Sequence, residues 1–203
     1  MAMYDLEKPE ILTTSDKIRR IRSNSVRIFF SILQTAVLVL ASCVVLYLLL
    51  ITPHQVDGNS MYPNFHNTDY VIANKMLYRF SEPKRGDVII FKYSETKDFI
   101  KRIIGLPGDV VTIKDGQYYI NGKHLDESDY LAPTVVTAGG KFLYEGIQVK
   151  VPEGEYFVSG DNRPKSSDSR SFGTIKKEQI KGRVFVIISP LDRFMLIKHP
   201  VYE

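Results

Sequence analysis

Residues 28–51 read IFFSILQTAVLVLASCVVLYLLLI, 24 residues without a charged side chain. As a helix rising about 1.5 Å per residue the run reaches roughly 36 Å, enough to cross a hydrocarbon core of about 30 Å with some tilt. Ser31, Gln34, Thr35 and Ser42 interrupt it without adding an ionisable group. A buried core helix is the other reading, but apolar runs beyond ~18 residues are the mark of membrane spans. Upstream lie Lys17, Arg19, Arg20, Arg22 and Arg27, whereas the 15 residues after Ile51 offer only Asp57, His54 and His66. Positive charge stays on the cytoplasmic side, so the N-terminus is expected inside and the rest outside. The run exceeds the ~7–15-residue core of a removable signal peptide, and no small-x-small site follows it closely, which favours an uncleaved anchor. The expected organisation is a cytoplasmic segment 1–27, a transmembrane helix 28–51 and an extracytoplasmic domain 52–203.

Beyond the run the hydrophobic period changes from helical to alternating. Short Val-, Ile-, Tyr- and Phe-rich stretches recur at 69–74, 87–93, 98–104, 109–115, 117–121, 155–160, 182–188 and 194–198. Turn sequences such as Pro-Lys-Arg-Gly-Asp and Leu-Pro-Gly-Asp separate them, which predicts strands. Residues 176–180 suit a single helical turn, and 126–146, with Gly139-Gly140, reads as an irregular or mobile excursion. Met76, Leu77, Tyr78 and Phe80 either dip into the bilayer surface or pack within the domain. The fold class is therefore mainly β, a single transmembrane helix followed by an all-β domain. Composition agrees: 203 residues suit one domain plus one extra element, and 44% apolar residues argue against disorder. The net charge of +4 comes from 27 basic and 23 acidic residues without a dense basic run, so nucleic-acid binding is not indicated.

The chemistry-bearing residues are few. Cys43 is the single cysteine and falls inside the run, where packing is its expected role. His54, His66, His124 and His199 have no metal-ligand spacing, and nothing favours a Ser-His-Asp arrangement. Ser60 sits in Val56-Asp57-Gly58-Asn59-Ser60-Met61-Tyr62-Pro63, a Gly- and Pro-bracketed turn able to expose a hydroxyl beside free backbone N–H groups. A plain turn serine fits the same residues. Lys101 lies in Phe99-Ile100-Lys101-Arg102-Ile103-Ile104, where alternation puts it between Phe99 and Ile103 on one face. Desolvation there would lower its pKa and make it a workable base, although a strand-edge lysine with its head in water is the commoner case. The stretch from Ser159 to Gly173 is dense in hydrogen-bonding side chains and fits a surface loop or an orienting network.

Together these residues resemble the type I (leader) signal peptidases, membrane-bound serine proteases that remove signal peptides from exported proteins. Four motifs occur in the family's order: Ser60-Met61-Tyr62-Pro63; Arg85-Gly86-Asp87-Val88; Lys101-Arg102-Ile103-Ile104-Gly105 with Pro107-Gly108-Asp109; and Gly160-Asp161-Asn162-Arg163 through Ser166, Asp168, Ser169 and Arg170. The resemblance implies a signal-peptidase-like catalytic domain in which Ser60 is the nucleophile and Lys101 the general base. It further implies that Ser166 orients the lysine and that Asp161, Arg102, Asp168 and Arg170 brace the site. Some relatives carry an oxyanion-hole serine two positions before the nucleophile; here that position is Gly58, so Gly58, Asn59 and Ser60 form the oxyanion region, led by backbone donors. Asn64 stands where Thr is common, with no functional reading. Met61, Phe99, Ile100 and Val56 are the expected pocket walls. The resemblance implies no metal and no organic cofactor. Its substrates are secretory preproteins with small residues, typically Ala, at positions −1 and −3. It implies a monomer in the lipid bilayer near the protein-export channel. The single span and short outer domain resemble the compact Gram-positive enzymes.

Three other readings share features. Self-cleaving repressors use Ser–Lys chemistry on a similar core but bind DNA in the cytoplasm, which the span opposes. A catalytically silent, membrane-anchored assembly factor would most simply have lost Ser60 or Lys101. A dedicated pilus or surface-protein peptidase differs only in substrate range.

Overall fold

The uncharged run is helical from its first residue to Leu50, and the helix continues well upstream; Ile51, expected to end the helix, instead opens a strand. The computed structural model describes residues 14–200 and residue 202 of the chain, so the first half of the expected cytoplasmic segment lies outside the described residues. Helix α1 covers Thr14–Leu50, takes in the basic flank, and forms a unit separate from the β domain. Its apolar part, Ser25–Val45, is exposed along its length, so it is no core helix of this chain. Thr35 and Ser42 donate their hydroxyls to the carbonyls of Ser31 and Leu38, one turn back (2.9 and 2.8 Å). That leaves neither hydroxyl unpaired, as a helix would need in hydrocarbon surroundings. Cys43, expected to pack, is exposed on this helix.

The chain enters the β domain with no linker, because strand β1 (Ile51–Gln55) starts at the residue after the helix. The strands that follow are β2 (Tyr70–Asn74), β3 (Val88–Lys92), β4 (Asp98–Gly105), β5 (Val110–Lys114), β6 (Gln117–Ile120), β7 (Lys123–His124), β8 (Gln148–Lys150), β9 (Glu155–Ser159), β10 (Ile175–Lys176), β11 (Ile180–Ser189) and β12 (Met195–Leu196). Two short helices, α2 (Leu77–Phe80) and α3 (Ser169–Phe172), sit between them. The large sheet has the order β1-β2-β11-β3-β4-β9-β10, with β12 against β11; a smaller sheet has the order β7-β6-β5-β8. Every pairing is antiparallel.

Alternation explains how the large sheet is buried on both faces. In β3, Val88 and Ile90 join a cluster with Val56, Met61, Phe65, Val71 and Ile187, while Ile89 and Phe91 join Ile103, Tyr156 and Val158 on the other side. The small sheet closes a third cluster through Val111, Ile113, Tyr118 and Phe157. The excursion 126–146 has no strand or helix but is not loose, since Leu131, Thr137 and Leu143 are buried. The Met76–Phe80 run divides: Tyr78 donates its hydroxyl to Asp87 (2.8 Å), whereas Phe80 is 83% exposed.

Candidate active site

After β1 the chain turns through Val56-Asp57-Gly58-Asn59-Ser60. Gly58 has φ +93°, a left-handed conformation that favours glycine, and its N–H donates to Asn67 Oδ1 (2.8 Å). That N–H is therefore committed, and Gly58 shapes the turn instead of offering a donor. The Ser60 N–H has no protein acceptor among the described residues. The turn sets Ser60 in the wall of a cleft of about 280 Å³, lined also by Val56, Gly58, Asn59, Val71, Ile90, Phe99, Ile100 and Lys101. Met61, expected as a wall, turns the other way: it is buried in the core, and its sulfur accepts the Asp161 N–H at 3.4 Å.

Lys101 comes from β4, where the register with β3 puts it opposite Ile89 and puts Phe99 opposite Phe91. Its side chain therefore runs among apolar neighbours, and the residue is 3% exposed. Nζ lies 2.7 Å from Ser60 Oγ, 2.9 Å from the Ile100 carbonyl and 4.9 Å from the Phe99 ring centre. Burial pushes its pKa down to about 8, against the upward pull of Asp168 and Asp161. An ordinary lysine is neutral about once in a thousand near pH 7.4, whereas at a pKa of 8 about a fifth is neutral. A neutral amine at this distance can accept the serine proton.

Behind the cleft the charges are fully paired. Arg102 grips Asp161 with two parallel bonds (Nε to Oδ1 2.9 Å, Nη2 to Oδ2 2.7 Å) and donates to the Gly86 carbonyl. Arg170 does the same to Asp168, at 2.8 Å for both bonds. Asp168 also caps α3 and accepts from the Gly160 N–H and Ser159 Oγ. Burial alone would raise the Asp168 carboxyl; Arg170 and the Gly160 N–H outweigh it and hold it below the usual carboxylate range. Ser166 makes no hydrogen bond to Lys101: its hydroxyl is buried against Gly160. The lysine is aimed instead by Ser60 and the Ile100 carbonyl.

Several residues at this site carry no functional expectation from the sequence. A side chain at Gly160 would collide with both Ser166 Oγ and the Ser60 carbonyl, so glycine is required where the two loops meet. Asn162 ties the same loops, its N–H donating to the Ser60 carbonyl (3.0 Å) and its Nδ2 to the Asn59 carbonyl (2.8 Å). Asn64 Nδ2 bridges Asp161 Oδ2 (2.7 Å) and the Tyr130 carbonyl (2.9 Å). The irregular excursion supplies Glu127, which pairs with Arg163, and Tyr130, whose ring lies 3.8 Å from the Arg102 guanidinium. No periodicity marks these two, and their partners are remote in sequence. Among the described residues no three His, Cys, Asp or Glu side chains converge as a metal site would need.

The family described as signal peptidase, peptidase S26, matches residues 28–189. A probable signal peptidase I-2 from Synechocystis sp. is 39% identical over 149 residues, covering 70% of this chain and 65% of that protein, just under two thirds of its length. Signal peptidase I S of Bacillus subtilis is 40% identical over 170 residues, covering 80% of this chain and 91% of the relative. Signal peptidase IB of Staphylococcus aureus is 33% identical over 177 residues, covering 80% and 92%.

Proposed function

The chain belongs to the signal peptidase family, peptidase S26, and is thus a hydrolase that cleaves signal peptides; from that premise we propose that Ser60 and Lys101 form its catalytic dyad and that α1 anchors it in a membrane. Ser60 Oγ attacks the scissile carbonyl while Lys101 Nζ takes its proton. The tetrahedral oxyanion is met by the free Ser60 N–H. Collapse breaks the peptide bond, the protonated lysine gives its proton to the leaving amine, and an acyl-enzyme remains on Ser60. Water deprotonated by Lys101 then hydrolyses the ester. The observation that carries this reading is the 2.7 Å contact between a buried lysine and a cleft serine.

The cleft also supports a way of holding substrate. β9 pairs with β4 from Arg102 onward, so among the described residues the edge of β4 at Asp98–Lys101 facing away from β3 has no strand partner. Among the described residues β1 pairs with β2 alone, which leaves its other edge open as well. An extended peptide lying along such edges would gain main-chain hydrogen bonds. Its alternate residues −1 and −3 would point to one face, into the small space walled by Val56, Val71, Ile90, Phe99 and Ile100. Two side chains sharing that space must both be small. The substrates are secretory preproteins. The anchor has its N-terminus in the cytoplasm and the β domain outside, and a monomer near the export channel completes the proposal.

The test is cleavage of a preprotein bearing an Ala-x-Ala site by full-length protein in detergent. Wild type should cut at that bond, and Ser60→Ala and Lys101→Met should each lose at least about a thousandfold. Full activity in either variant would overturn the dyad. A folded wild type that leaves this preprotein intact would overturn the general substrate range.

A further inference from the structure

Where α1 hands over to the β domain, the large sheet carries a groove of about 660 Å³ whose walls include Thr52, Lys75, Arg79, Lys177, Ile180 and Lys181. Thr52 is two residues past the end of the helix, so chain reach alone keeps it within about 7 Å of Leu50. Strand register places the other walls at the same end of the sheet. Ile51 pairs with Asn74, and Asn74 pairs with Arg183 on its other side. Lys75, the α2 turn and Lys181 therefore all extend beyond the edge from which the helix departs.

The charges of the groove are unevenly satisfied. Lys177 meets Glu82 (2.5 Å) and Lys181 meets Asp98 (2.6 Å). Lys75 and Arg79 are exposed, and among the described residues neither has a carboxylate partner, although Glu178 also lines the groove. Beside Arg79, Phe80 projects 83% exposed. Free cations next to an outward aromatic, at the exit of an apolar helix, suit the headgroup layer, where phosphate binds cations and aromatic rings are favoured.

We propose that this groove, through Lys75 and Arg79 with Phe80 as a wedge, is a docking surface for the headgroups of anionic phospholipids. The proposal rests on α1 being a membrane anchor. It gives the domain a second, noncovalent hold on the bilayer, beside the cleft, with which the groove shares His54.

The chain contains no tryptophan, so Phe80→Trp installs a single indole. The full-length variant is reconstituted into phosphatidylcholine vesicles, with or without about one-third phosphatidylglycerol, and with bromine on the acyl chains. The expected result is blue-shifted emission quenched by bromine in the anionic vesicles, weakening in high salt. Adding Lys75→Gln or Arg79→Gln should lower the ratio of docked to undocked protein by roughly fivefold per charge. Inorganic phosphate at equal ionic strength should not reproduce the shift; if it does, the site binds phosphate and not lipid. A chain that floats with the vesicles while the indole stays open to aqueous quencher overturns the docking surface and leaves the anchor intact. A chain that does not float overturns the anchor and the docking surface together.

Discussion

On the cleft side Lys101 holds its position through two hydrogen bonds and, among the described residues, has no carboxylate within ion-pair distance, whereas on the far side Arg102 and Arg170 each clasp a buried carboxylate with two. Both regions bury charge, but they answer its cost in opposite ways. The guanidiniums and carboxylates cancel one another, since a buried ion is tolerable only when paired and fully hydrogen-bonded. The lysine is given no such partner, so burial acts on it with little opposition and loosens its proton. The pairing behind thus protects the chemistry in front: a carboxylate freed from its arginine would tighten the lysine's hold on that proton.

The hardest blow to this contrast is Arg102→Met, which leaves Asp161 buried and unpaired. It should lose about 3–5 kcal/mol of stability in denaturant melts. A variant as stable as wild type would mean that the paired side is dispensable. Gly160→Ala tests the seam between the regions. Its methyl group has no room between Ser166 and the Ser60 carbonyl, so about 1–3 kcal/mol should be lost, with kcat falling more than KM changes. Unchanged kcat would show that the seam does not position the nucleophile.

The pH dependence of the reaction reads the cleft side alone. The lysine pKa is lowered to about 8, so with Lys101 the base, as proposed, the neutral form the reaction needs is lost as pH falls. Below that value kcat/KM should drop about tenfold per pH unit, and above it should level off. A flat profile from pH 6 to 10, with chemistry limiting, would remove Lys101 as the base. Asn64→Ala, at the margin of the paired side, should cost about 1 kcal/mol, because its amide serves both Asp161 and the Tyr130 carbonyl. No loss in melting would place Asn64 outside the network.

How far the sequence discloses these regions follows from what each leaves in it. β5 is legible because every second residue must reach a core, and β3 because its successive residues must reach cores on both faces of the sheet. β1 is hidden because Thr52-Pro53-His54-Gln55 has no alternation and contains a proline, which only an edge strand tolerates. β7, β8 and β10 are two or three residues long and leave no period to detect. Ser60 and Lys101 stand out through the motifs around them. Glu127 and Tyr130 do not, because their roles arise when an irregular segment folds against Arg163 and Arg102. Met61 shows the converse: a motif residue beside the proposed nucleophile whose side chain serves the core.

The strand that follows the helix also sets a length. Nine residues, 51–59, separate Leu50 from Ser60, so the two are at most about 36 Å apart along extended chain, and five of the nine are locked against β2. With the helix in the bilayer and Ser60 the nucleophile, as proposed, Ser60 is on a short tether whose length caps its height above the membrane. A preprotein whose susceptible bond emerges higher than that would escape cutting however well its side chains fit. Residues inserted between Leu50 and Val56 would raise the ceiling and change which preproteins are cut without altering a single wall of the cleft.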